Sequence, residues 1–194
     1  MHDMLYGKIC MDCKEVIDSP AESYATSSLV NPKVLIRETT AKMLETGMKN
    51  SILSENKLIL VLDLDNTLIH ATTNPAYSMT VPGLNSEYFE VNISGSTFYV
   101  KLRPNLHDFL QALSCYYKIY IFTAATKPYA LAILQIIDPT SSIILPNNII
   151  TREELKEGKK DMSLILPYDY SLTIIVDDRV DSWSANSNIL RVQS

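Results

Sequence analysis

Three short aliphatic runs set the rhythm of the chain: "LILVL" at 58–62, "KIYIF" at 118–122 and "LTIIV" at 172–176. Each is short, apolar and largely uninterrupted, the pattern of a strand covered on both faces. Between them the spacing changes. "RPNLHDFLQALSCYY" places Leu106, Phe109, Leu110 and Leu113 on one helical face, and "TKPYALAILQIID" predicts a second helix, stopped by Pro139. "EYFEVNISGSTFYVKL" alternates apolar and polar residues around "SGS", which predicts a β-hairpin within the region 71–100. "NILRVQ" predicts a last strand. Upstream, Asn31 as N-cap and Pro32 at the first helical position predict a helix along 31–50. Residues 1–30 are polar and mixed, and read as a loosely packed lead-in. Strands alternating with helices predict an α/β fold: a central parallel sheet with helices on both faces and a small β-hairpin insertion.

Composition narrows this picture. At 194 residues and 46% hydrophobic content, the chain can bury one full-sized core. A net charge of −5, from 17 basic and 22 acidic residues, argues against broad nucleic-acid binding, which rests on excess Lys and Arg. No apolar run approaches the roughly 20 residues that span a bilayer. The first residues show neither a secretory h-region nor an Arg-rich transit pattern, so no membrane partner is expected. Cys10, Cys13 and Cys115 suggest a reducing compartment rather than a disulfide framework. Cys10-x-x-Cys13 is half a zinc site. With no second pair, and His2 a poor third ligand, it is not read as a metal centre.

The polar positions change the picture most. Each predicted buried strand runs into a polar tip: Asp63 and Asp65 with Asn66 and Thr67, Thr123 with Thr126, and Asp177 with Asp178. Parallel sheets bind ligands beyond the carboxyl ends of their strands. Carboxylates gathered on one such rim repel, and a divalent cation relieves that; carboxylate and water ligands suit Mg²⁺. A carboxylate beside the cation can attack phosphorus, and a second carboxylic acid two residues on can protonate the leaving oxygen. Thr123 is a candidate hydroxyl for the phosphoryl oxygens, and Lys159 and Lys160 are candidate cations; Lys160 is expected to supply charge rather than packing.

"DLDNTLIHAT" resembles the D-x-D-x-T motif of the haloacid-dehalogenase superfamily, in the form used by FCP/SCP-type phosphatases of the RNA polymerase II C-terminal domain. The likeness continues through "VKLRPNLHDFLQAL", "IYIFTAATKPYALAILQIIDP", "ITREE", "KKDMSLIL" and "IIVDDRVDSWSANSNILRV", from residue 58 to about 192. "YALAILQIIDP" and "DDRVDSW" are closer to the FCP branch. The resemblance implies a haloacid-dehalogenase-like Rossmannoid fold and a Mg²⁺-dependent protein serine/threonine phosphatase. It makes Asp63 the nucleophile and Asp65 the acid/base, with Thr123, Arg152 and Lys160 binding the phosphoryl group. It places Mg²⁺ on the Asp63 carboxylate, the Asp65 main-chain carbonyl and Asp178, with Asp177 in support. It further implies the phosphorylated polymerase C-terminal domain and general transcription factors as partners, and nuclear residence. The catalytic domain is expected over 31–194, and a BRCT domain, usual after it in the FCP branch, is not expected within these residues.

Two other functions share these features. A small-metabolite phosphatase of the superfamily would favour a large cap, whereas the insert after the first motif is only about 30 residues. A non-catalytic FCP-like binding module, such as the mitochondrial import receptor, would be expected to lose the aspartates; both are present. Trp183 and His70 read as packing residues, and Thr151 with Glu154 as a capping box that coexists with a role for Arg152.

Overall fold

The computed structural model describes residues 2–18, 24–26, 34–77, 87–155, 158–164, 171–184 and 188–193. The backbone divides into two compact units, one of residues 1–56 with 162–171, the other of 57–161 with 172–194.

In the first unit, β1 (Met4–Tyr6), β2 (Ile9–Cys10), β3 (Tyr24–Thr26) and β4 (Val34–Arg37) form an antiparallel sheet in the order β2-β1-β4-β3, followed by α1 (Glu38–Ser54). This corrects the expected loose lead-in. It also corrects the helix start: Asn31 and Pro32 lie outside the described residues, and Val34–Arg37 is strand, with Arg37 as N-cap. The reason is pairing on both sides. β4 is clamped between β1 and β3, and Val34 and Ile36 alternate inward at the strand period. Their cluster is small, joining Ala41 and Met4.

The second unit carries the parallel sheet. Its strands are β5 (Leu58–Leu62), β9 (Tyr117–Phe122), β10 (Ile149–Ile150), β11 (Thr173–Asp177) and β12 (Ile189–Arg191), in the order β10-β9-β5-β11-β12. All four pairings are parallel. The three aliphatic runs are thus neighbours, with β5 central and buried from Ile59 to Leu62. Leu60, Leu62, Ile119 and Ile121 pack with α2 (Leu106–Ser114) and α3 (Lys127–Ile137), where Leu110, Ala130 and Ile133 are fully buried. From β5 the chain steps to β9 and β10, then returns to β11 on the other side. The carboxyl ends of β9, β5 and β11 therefore flank a topological switch point.

The insertion is a second small sheet, order β6-β8-β7, made of β6 (Ile69–Thr72), β7 (Tyr88–Ile93) and β8 (Ser96–Leu102). The hairpin appears as expected, and β6 adds a third strand beside it. Ser94 and Gly95 both take positive φ, 52° and 83°, between the paired Ile93 and Ser96. That is the two-residue turn whose twist matches its strands.

Candidate active site

Asp63 follows β5 directly, and its N–H still donates to Val176 O of β11 (3.0 Å). The chain then curls: Leu68 and Ile69 N–H both donate to Leu64 O, and Asn66 takes a left-handed φ of 64°. Buried Leu64 anchors this loop, while Asp63 and Asp65 both line a cleft of about 740 Å³. Arg103, at the end of the hairpin, clamps the loop from outside. Its Nε donates to Thr67 O (2.7 Å) and an Nη to Asn66 O (2.9 Å). Thr67 Oγ1 in turn accepts Asp178 N–H (3.1 Å), which ties the first aspartate loop to the second.

Lys160 fills the space between the strand ends. Its Nζ donates to Asp63 Oδ1 (2.5 Å) and Asp177 Oδ2 (2.7 Å), and all three side chains are under a tenth exposed. The rim is thus partly compensated by its own lysine. The expectation that Lys160 supplies charge without structural weight needs correction here: two buried carboxylates depend on it. Its backbone is held by Ser182 O, which accepts Lys160 N–H (2.9 Å), and by Ser184 N–H, which donates to Lys160 O (2.9 Å). Trp183, between them, donates Nε1–H to Asp177 Oδ2 (2.8 Å), lies 5.5 Å from the Lys160 ammonium, and packs edge-on against Phe122. Packing alone does not describe it; Trp183 also orients the ion pair. Lys159 instead reaches Asp181 O on the surface.

Burial pushes the Asp63 carboxyl up to about 6, with Asp177 adding to the rise and Lys160 opposing it. Asp65 is also raised by burial, against a hydrogen bond from Tyr129 Oη to its Oδ1 (2.6 Å). Thr123, buried at the end of β9, accepts Ala125 N–H on its Oγ1 (3.1 Å). Arg152 lines the same cleft, fixed by Nε to Ala124 O (2.7 Å). The capping box from Thr151 to Glu154 forms beside it. His70 is exposed and pairs with Asn66 Oδ1.

Carboxylate oxygens of Asp63, Asp177 and Asp178 lie within 4.8 Å of one another. Asp177 is heavily engaged, by Lys160, Trp183 and Arg179 N–H (2.7 Å). Asp63 and Asp178 are better placed to ligate, and a set of hard oxygen donors fits Mg²⁺.

The opposite wall of the cleft comes from the insertion: Ala71, Ile93, Ser94, Ser96 and Phe98. A two-aspartate loop, a buried lysine and a second aspartate pair thus converge on one cleft. Residues 58–194 match the model of the NLI interacting factor-like phosphatases. The chain belongs to this family. Its relatives include the RNA polymerase II C-terminal domain phosphatase of Schizosaccharomyces pombe, 30% identical over 98% of this chain and 29% of its own length. The protein of that name from Encephalitozoon cuniculi is 32% identical over 99% of this chain and 45% of its own. The chain therefore spans less than half the length of either relative. A solved structure of Fcp1, an essential RNA polymerase II CTD phosphatase, matches with a TM-score of 0.70 and 34% identity over 77% of this chain and 45% of that one. A fission yeast Fcp1 variant bound to beryllium fluoride matches at 0.67 and 34%, over 77% of this chain and 44% of that one. Three residues at this phosphatase-like site are not singled out for it by sequence: Tyr129, Arg103 and, in its orienting role, Trp183. The only sequence signal for them is position, beside the Thr123 turn, at the "RP" strand end, and after "DDRVDS".

Proposed function

We propose that this chain is the catalytic part of a Mg²⁺-dependent protein serine/threonine phosphatase acting on the phosphorylated heptad repeats of RNA polymerase II, and hence in the nucleus. The observation that carries the chemistry is the pairing of Asp63 on Lys160 with Asp65 on Tyr129. An Asp63 oxygen attacks phosphorus, forming an aspartyl phosphate as the P–O bond to the serine breaks. Asp65 gives its proton to the departing serine oxygen. Tyr129 occupies Oδ1, so that proton is carried on Oδ2. Asp65 then takes a proton from the water that attacks the aspartyl phosphate, which releases inorganic phosphate and restores Asp63. Lys160, Thr123 and Arg152 hold the phosphoryl oxygens. Mg²⁺ on Asp63, the Asp65 carbonyl and Asp178, with Asp177 behind, would neutralise charge on the transferring group. The insert after the first aspartate loop is only about 30 residues, too short for a large closing cap, which supports an extended peptide substrate over a small metabolite.

The test is a panel of singly phosphorylated heptad peptides beside an aryl phosphate, with and without Mg²⁺, followed by rapid-quench labelling. Turnover should vanish with chelator. Asp63→Asn should form no phosphoenzyme. Asp65→Asn should be nearly inactive on phosphoserine yet accumulate phosphoenzyme from the aryl ester, whose leaving group needs no proton. Phosphoenzyme on Asp63→Asn, or equal defects of Asp65→Asn with both leaving groups, would overturn these roles.

A further inference from the structure

The amino-terminal sheet gathers donors of a different chemistry. His2 precedes β1, Cys10 closes β2, and Cys13 follows in the turn. The hairpin brings them together: one ligand atom from each lies within 4.8 Å of the other two. His2 Nδ1 is 3.3 Å from Cys13 Sγ. Nitrogen and sulfur on one tetrahedral zinc, at about 2.0 and 2.3 Å from it, stand roughly 3.5 Å apart.

The turn itself is shaped for thiolates. Lys14 N–H donates to Cys10 O (3.0 Å), and Lys14 takes a left-handed φ of 65°. That curl aims the N–H groups of Asp12 and Cys13 at the Cys10 sulfur, and the N–H of Glu15 at the Cys13 sulfur. Amide donors thus point at both sulfurs, and two adjacent thiolates need a cation to stand together. Glu15 Oε2 lies 3.7 Å from His2 Nε2. With Nδ1 on a metal, Nε2–H faces that carboxylate, the arrangement that fixes a ligating imidazole. Cys10 is completely buried, so this is not merely a surface turn. The surrounding cluster is also small, and small sheets with little core are the ones a metal staples.

We propose that His2 Nδ1, Cys10 Sγ and Cys13 Sγ bind a structural zinc ion, with Glu15 orienting His2 and the fourth position left to water. Two thiolates and an imidazole select zinc over the oxygen-seeking Mg²⁺ of the acidic rim. In the sequence this site lacks a second cysteine pair and a firm third ligand; the hairpin supplies His2.

The full chain, purified without added metal, should contain one zinc by elemental analysis. Cobalt in its place should show thiolate-to-metal charge transfer and intense tetrahedral d–d bands. Cys13→Ser and His2→Ala should lose the zinc and the charge-transfer band, or its intensity. Cys13 is exposed, so its replacement removes no core packing, and circular dichroism should show the parallel sheet of the second unit intact. Glu15→Gln should weaken zinc binding roughly 10- to 100-fold in competition with a chromophoric chelator. Asp178→Asn should change none of these readings, which separates the site from the rim. Zinc retained by a Cys10→Ser/Cys13→Ser variant, cobalt without charge transfer, or a reduced wild-type chain that takes up no zinc would overturn the proposal.

Discussion

The acidic rim and the amino-terminal hairpin both collect groups that ask for a cation, but they are held in opposite ways. At the rim, Asp63 and Asp177 stand at the ends of buried strands, and Lys160 between them already offsets part of their charge. Behind them lies the large cluster built from β5, β9, α2 and α3. In the hairpin the strands are two to four residues long, and Cys13 and Glu15 are exposed. A large core can hold charge in a reactive arrangement before any ligand arrives. A small one relies on its ligand for order. Chelation should therefore stop turnover at the rim without unfolding its sheet, while loosening β1 and β2.

The sharpest break of this comparison is Asp63→Asn. Turnover should fall roughly 10⁴-fold or more, as for other lost nucleophiles, while the zinc content stays unchanged. Steady-state rates and elemental analysis read the two regions separately. Lys160→Met comes next. It should lower turnover by about 10²–10³-fold and, unlike a surface charge, cost roughly 3–5 kcal/mol of stability in urea unfolding, because it strands two buried carboxylates. An unchanged midpoint would show that the rim does not depend on its lysine.

Acidity provides the third probe. In metal-free protein Asp63 titrates near 6 against an ordinary 3.8, raised chiefly by burial. The native state then binds this proton more tightly than the unfolded chain does. Asp63 therefore adds stability that is fully present below pH 3.8 and is lost as the pH rises through about 6. Carboxyl-carbon NMR should find that midpoint, and Lys160→Met should move it upward. The smallest effect is expected from Trp183→Phe, which keeps the edge contact with Phe122 but removes the donor to Asp177. About 1 kcal/mol of stability and a few-fold loss in kcat, with KM unchanged, are the expected readings.

Legibility followed the range of the forces. The buried strands can be read because aliphatic runs such as "LILVL" carry their burial locally, and the rim because each run ends in polar residues. The short strands of the first unit cannot. "VLIR" alternates correctly, but four residues after Asn31-Pro32 look equally like a helix start, and pairing with Met4–Tyr6 decides the matter from about 30 residues away. The same holds within the site. Asp65 is visible in its motif, while Tyr129, which holds it from 64 residues on, looks like one more apolar position of α3. His2 looks like a stray terminal residue because adjacency across a hairpin has no signature in composition.

One contact joins the insertion's wall of the cleft to Asp65, the proposed proton carrier. Phe98, on the hairpin strand that borders the cleft, packs edge-on against Tyr129 with ring centres 5.2 Å apart, and Tyr129 holds Asp65. Whatever presses on that wall is felt, one ring further on, by the group proposed to give the leaving oxygen its proton. A replacement at Phe98 should then alter the dependence of rate on leaving-group basicity as well as peptide affinity, so that choosing a substrate and expelling its alcohol become two readings of one lever.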